Sequence, residues 1–320
     1  MKRTLLILAF AMLVAGCGGS GPRPFLSGGA YRHGVCYGPH RDGQRPGGAE
    51  PSAAQIAEDL GIIARHWGLV RTYGASGPTP ETILRTIREQ GLDLKVMLGV
   101  WIAPQSEPDA AQENAAEITA GIRLANAYPD VVAAVAVGNE TQVHWSAHRS
   151  PVAGVTAAVR EVRAAVAQPV TSADDFNYWN KPESRELAAE LDFIAMHAHP
   201  LWNGRQLDEG LAWVREQIAA VAELHPDRPI VLAETGWATS VADHGEQAEL
   251  IKGAPGEAEQ KVFMDAVRAW SKAAGRTVMW FEVFDENWKG GDDPAEVEKH
   301  WGVYRADRTP KAWAAGAAAR

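Results

Sequence analysis

From residue 34 onward, short apolar runs alternate with longer stretches whose apolar positions recur every three or four residues. Eight runs read as strands: 34–38, 69–73, 94–101, 131–137, 169–172, 191–197, 229–233 and 277–283. Several are nearly continuous in Val, Ile, Leu and Ala. That is the pattern of parallel strands covered on both faces, not of strands with one wet side. Helices fit between them. Ser52 followed by Gln55 is a capping box opening a helix that runs to about Trp67. Thr79 before Pro80 predicts an N-cap with proline at the first helical position, and Gly91 closes that helix. Further helices are expected near 109–127, 151–167, 182–190, 207–224 and 256–274, with an Ala-rich tail from Trp313 fraying at the end. Eight strand–helix alternations without a second set of elements predict an α/β fold, a single (β/α)8 TIM barrel over residues 33–320. A doubly wound open sheet is the rival, but no Gly-x-Gly-x-x-Gly follows the first strand.

The first residues do not belong to this alternation. Lys2 and Arg3 precede an unbroken apolar run from Leu5 to Val14, too short for a bilayer span of about 20 residues but suited to a signal peptide over 1–16. Val14-Ala15-Gly16-Cys17 resembles the bacterial lipobox, in which the cysteine becomes the lipidated first residue of the mature chain. Ordinary signal cleavage with Cys17 incidental is the alternative. The expected protein is exported and lipid-anchored to a bacterial membrane, at the outer membrane or in the periplasm in a Gram-negative cell. Residues 17–32 carry the lipidated Cys17 and a flexible tether, whose 18–29 stretch reaches roughly 20 Å as a coil. Cys36, the other cysteine, then lacks an intramolecular partner and reads as a small core residue in an apolar strand.

Composition narrows the class. Hydrophobic residues make up 46% and charged residues 22% of 320, which gives a globular chain with a large core and excludes disorder. A net charge of −9 leaves no basic footprint for nucleic acid. Tryptophan is in excess, 12 against 7 Phe and 6 Tyr, which points to a neutral ligand with flat apolar faces.

Barrel chemistry comes from the C-terminal ends of strands. The fourth strand ends in Gly138-Asn139-Glu140 and the seventh in Glu234-Thr235-Gly236-Trp237. A carboxylate directly after an apolar strand costs desolvation energy unless it has a task or a partner. Two of them facing each other across a barrel mouth fit retaining glycoside hydrolysis, in which the carboxyl groups stand about 5–5.5 Å apart. The structural alternative is that each Glu caps the following helix or pairs with an arginine.

These segments are similar to glycoside hydrolase family 17, whose members act on β-1,3-glucans. The resemblance runs from about His33 to Lys311. It rests on Gly34-Val35-Cys36-Tyr37-Gly38, Arg71-Thr72-Tyr73-Gly74, Val137-Gly138-Asn139-Glu140, Leu191-Asp192-Phe193, Glu234-Thr235-Gly236-Trp237 and the stretch from Phe281 to Lys289. Each piece is weak alone; their order and spacing carry the match. The resemblance implies that Glu140 is the acid/base, Glu234 the nucleophile, and Asn139 a hydrogen-bond partner of the sugar 2-hydroxyl. Tyr37 and Tyr73 match positions at the floor of the site, where a phenol orients a carboxylate or a sugar; a buried tyrosine with a satisfied hydroxyl is the alternative. Glu282, Glu286 and Lys289 follow the family's last-strand pattern, as sugar ligands or as a salt bridge beside the site.

His197 and His199 share one face of the sixth strand, a spacing that holds a metal in some barrels. The other histidines supply no obvious further ligands, so no metal and no cofactor are expected, and His199 is assigned to sugar or carboxylate contact. The family often places Tyr where His199 stands, so this chain departs there. Trp101, Trp145, Trp179, Trp202, Trp237 and Trp288 all fall just after predicted strands, and as a group they are expected to line a sugar-binding groove. The sequence therefore predicts a monomeric retaining β-1,3-glucan hydrolase. A transglycosylase using the same two glutamates and a non-catalytic glucan-binding lipoprotein are the alternatives.

Overall fold

The computed structural model describes residues 21–26 and 32–317. Cys17 and the signal segment lie outside the described residues. Eight parallel strands close into a barrel in sequence order: β1 (His33–Cys36), β2 (Leu69–Arg71), β3 (Lys95–Val100), β4 (Val132–Asn139), β5 (Val170–Asp175), β6 (Ile194–His197), β7 (Ile230–Thr235) and β8 (Val278–Trp280). Closure comes from β1 pairing with β8, His33 opposite Val278 and Val35 opposite Trp280. All eight predicted strands are present, and the barrel excludes the open-sheet rival.

Around the barrel stand α1 (Ala53–Ile63), α2 (Pro78–Glu89), α3 (Ala110–Ala127), α4 (Val152–Ala165), α5 (Phe176–Trp179), α6 (Arg185–Glu190), α7 (Leu207–Leu224), α8 (Gly245–Leu250), α9 (Glu257–Ala274) and α10 (Ala312–Gly316). The Ser52–Gln55 capping box of α1 forms as predicted. The start of α2 does not. Its N-cap is Gly77 with Pro78 in the first turn, while the Thr79 hydroxyl donates to Glu50 instead of to its own helix. Short helices α5 and α8 carried too few turns for a period to show.

Strand interiors are buried on both faces, as their continuous apolar runs require: every residue of β2 and β5 is buried, and one hydrophobic cluster joins barrel and helices. Cys36 is buried and unpaired within it. The Ala-rich tail forms α10, where Trp313 packs against Trp67 with ring centroids 5.4 Å apart, and residues 318–320 lie outside the described residues. One expectation about the ends is corrected: residues 21–26 are not free of contacts, since Phe25 stacks on Phe193 at 4.7 Å and Arg23 pairs with Asp192. An aromatic ring and an arginine found complementary groups that composition alone did not show.

Candidate active site

The fourth strand delivers Glu140 through a tight turn. Gly138 has φ +80 and Glu140 itself φ +49, a left-handed conformation that costs a non-glycine residue energy. The turn is held from β5: Glu140 N–H donates to Ala173 O at 2.9 Å, and Gln142 N–H donates to Asp174 Oδ2 at 2.8 Å. Glu140 ends half-exposed, within reach of solvent and ligand.

Glu234, on β7, has the opposite setting. It is almost wholly buried and surrounded by donors. Arg71 Nη1 lies against its Oε1, the Tyr73 hydroxyl donates to the same oxygen at 2.9 Å, and His199 Nε2 donates to Oε2 at 3.2 Å. Burial alone would push this carboxyl up; His197, Arg71 and the His199 hydrogen bond override it and hold the group well below the usual range. Glu234 is therefore an anion at neutral pH. Burial works against charge on His199 as well, but Glu234 prevails and raises its pKa.

His197, fully buried on β6, links the two carboxylates. Its Nδ1 donates to Glu140 Oε1 at 3.0 Å, and its Nε2 lies 3.5 Å from Glu234 Oε1. Donor atoms of Glu140, His197 and Glu234 all fall within 4.8 Å of one another. Such spacing also suits a small cation. The Arg71 guanidinium, already against Glu234, opposes a further positive charge there.

The structure separates the other expected residues into three groups. Asn139 and Tyr73 join the catalytic pair. Arg71 Nη2 donates to Asn139 Oδ1 at 2.6 Å, which leaves the amide N–H groups of Asn139 for a sugar hydroxyl. The residues just beyond β8 form a salt-bridge cluster beside the site: Lys289 Nζ stands 2.8 Å from Glu282 and 2.8 Å from Glu286. Burial and the neighbouring Glu286 push Glu282 up, whereas Lys289, His40 and Trp288 overcome burial to hold Glu286 down. Gly38, just after β1, makes room for this cluster, because a Cβ there would run into the Glu286 carboxylate. Trp288 is exposed and donates to Glu286 Oε1; Trp202 is half-buried and donates to Glu298 Oε1. Trp101 and the exposed Trp145 each meet a histidine edge-on, His148 and His144.

Three expectations fail. Tyr37 is fully buried and donates its hydroxyl to Asp59 of α1, in a network with Arg308, so it supports the barrel wall and not a ligand. Trp237 is fully buried, donates to Ala254 O and packs on Phe263. Trp179 likewise is a core residue, donating to Ala195 O. Position just after a strand does not say whether an indole turns into the mouth or under the following helix.

Sequence reasoning missed Arg71, Asp175 and Glu298 as members of the site. Arg71 had a readable signal, a cation inside an apolar strand that only a buried anion would tolerate. Asp175, at the end of β5, has its carboxyl raised to about 7, chiefly by burial and with a contribution from Glu140. Glu298 comes from a short 3-10 helix, Val297–Lys299, after β8, where no pattern marks it.

The BtgE/BtgC glycoside hydrolase domain matches residues 34–302. A glucan 1,3-beta-glucosidase of Arthroderma benhamiae is 28% identical over 84% of this chain and 86% of its own length. An endo-laminarinase from Formosa Hel1_33_131 superposes with a TM-score of 0.76 at 25% identity, covering 87% of this chain and 84% of that one. A glycoside hydrolase family 17 beta-1,3-glucanosyltransferase from Rhizomucor miehei shares the fold, with a TM-score of 0.70 at 24% identity over 88% and 96% of the two chains. The resemblance seen in the motifs thus extends over the whole barrel, and the chain belongs to the BtgE/BtgC glycoside hydrolase domain family.

Proposed function

We propose that this glycoside hydrolase cleaves β-1,3-linked glucan with retention of anomeric configuration, through a covalent glycosyl-enzyme on Glu234. The observation that carries the proposal is the close approach of Glu140 and Glu234, with oxygens within 4.8 Å. That is nearer the 5–5.5 Å of retaining enzymes than the 6.5–9.5 Å that leaves room for a water between the carboxyls. The names of the relatives, a glucan 1,3-beta-glucosidase and an endo-laminarinase, support the substrate.

Each group has its part. The Glu234 anion, aligned by Arg71, Tyr73 and His199, attacks the anomeric carbon as the glycosidic C–O bond breaks, and the new ester bond joins sugar to enzyme. Glu140 gives its proton to the departing oxygen. It then takes a proton from the incoming water, whose oxygen displaces Glu234 and restores both carboxyls. His197, touching both, holds the imidazole edge between them. A sugar hydroxyl taking the place of water would make the same site a transglycosylase.

Digestion of defined β-1,3-gluco-oligosaccharides with product sizing tests this. Only shorter products indicate hydrolysis, and products longer than the starting chain indicate transfer. No turnover on any β-glucan would overturn catalysis in favour of a glucan-binding protein. For the N-terminus, the Val14-Ala15-Gly16-Cys17 motif supports export and lipid attachment at Cys17. Mass measurement of the N-terminal peptide from membranes checks that reading.

A further inference from the structure

The segment just after the lipobox is built into the barrel's lower pole, the end opposite the catalytic mouth. Arg23 donates from its backbone N–H to Asp192 Oδ1 at 2.8 Å and from Nε to Asp192 Oδ2 at 2.9 Å, and its Nη1 donates to Val166 O at 2.7 Å. Arg163 Nη2 donates to Gly21 O at 3.3 Å and to Asp192 Oδ1 at 2.7 Å. Phe25 stacks on Phe193, and Phe25 and Leu26 pack against the core. Every receiving group sits where strands begin. Asp192 and Phe193 lead into β6, Val166 ends the helix before β5, and Asp192 Oδ2 also accepts from Val170 N–H, the first residue of β5. Glu140 and Glu234 lie at the other ends of their strands.

We infer that residues 21–26 are a strap that fixes how the enzyme stands on a lipid surface: the lower pole faces the membrane and the catalytic mouth faces away. The inference rests on lipidation of Cys17. Four peptide units separate Cys17 from Gly21, so the lipidated residue is at most about 14 Å from the docked strap. Six-residue strands such as β5 and β7 are about 20 Å long, so the chain between anchor and strap is too short to let the mouth turn to the bilayer while the strap is bound. The polymer substrate is then met on the side away from the anchoring membrane.

The test uses the full-length lipidated protein reconstituted in phosphatidylethanolamine/phosphatidylglycerol vesicles carrying an acceptor dye on the headgroups. Cys36 is buried, so a cysteine introduced by Asp227→Cys, in the loop entering β7, or by Ser106→Cys, in the loop leaving β3, takes the donor dye alone. The expected result is at least three-fold stronger energy transfer from position 227 than from 106. Adding Arg23→Ala and Phe25→Ala should reduce that ratio by half or more, with turnover of soluble oligosaccharide unchanged as proof of folding. Equal transfer from the two positions, or stronger transfer from 106, overturns the orientation. So does a ratio that the strap variants leave intact. The mass of the N-terminal peptide from the same sample shows whether lipid is present. Its absence sinks the anchor and the orientation together, whereas lipid with equal transfer sinks the orientation alone.

Discussion

At the lower pole, the carboxylate of Asp192 accepts hydrogen bonds from Arg23, Arg163 and the Val170 backbone. Burial would raise its carboxyl, but those bonds keep it below the usual range. At the mouth, Glu140, Asp174, Asp175, Glu234, Glu282, Glu286 and Glu298 gather around two fixed cations, Arg71 and Lys289, and two histidines. Asp174 and Asp175 are pushed up by burial and by Glu140. At one end of the barrel a buried carboxylate is held by two arginines and a backbone N–H, and the other keeps an excess of acidic groups with a strained turn among them. The contrast separates residues held for stability from residues held for chemistry, and substitutions at the two ends should differ in kind.

The largest expected effect is at Glu140. Glu140→Gln removes proton transfer at a half-exposed position, so turnover of oligosaccharides with poor leaving groups should fall on the order of 10²–10⁴-fold while the thermal midpoint hardly moves. Steady-state kinetics together with a melting curve would show it, and a large loss of stability would blur the contrast. At the opposite pole Asp192→Ala should do the reverse, lowering unfolding free energy by about 2–4 kcal/mol with little change in kcat. Denaturant titration measures this.

A smaller effect is expected at Asp175. Its carboxyl is raised to about 7 in the fold, against 3.8 when unfolded, so the folded state resists ionisation. Below pH 3.8 it is neutral in both states and contributes nothing. As pH rises toward 7 the unfolded chain alone ionises, and stability is lost. Asp175→Asn removes that cost, so its stabilising effect should grow from pH 4 to pH 8 and reach about 1–3 kcal/mol. A gain independent of pH would place the effect elsewhere. The smallest effect concerns Trp288, where loss of one exposed indole should weaken laminari-oligosaccharide binding about 2–10-fold by titration calorimetry. Normal binding would move the groove away from β8.

The fold was legible because parallel strands buried on both faces leave apolar runs that turns and helices interrupt. Boundaries were less so. β5 extends to Asp175 beyond the expected 172, because its last residues are polar groups facing the mouth, where pairing continues though hydrophobicity stops. The catalytic glutamates were readable from a charge placed directly after an apolar strand. The tryptophans were not separable by position: Trp237 and Trp179 are core, Trp202 and Trp288 are not, and only the packing of later helices decides. Tyr37 failed for a similar reason, since its partner Asp59 is a single acid on the otherwise apolar inner face of α1, and in the sequence it looked like any solvated position.

The most direct measurement of the central claim is proton NMR of the first-formed reducing sugar during cleavage of a β-1,3-gluco-oligosaccharide. With Glu140 and Glu234 serving one anomeric carbon at this spacing, the β-anomer should appear first and mutarotate afterwards. Initial appearance of the α-anomer would mean a single displacement by water and would contradict the covalent role of Glu234.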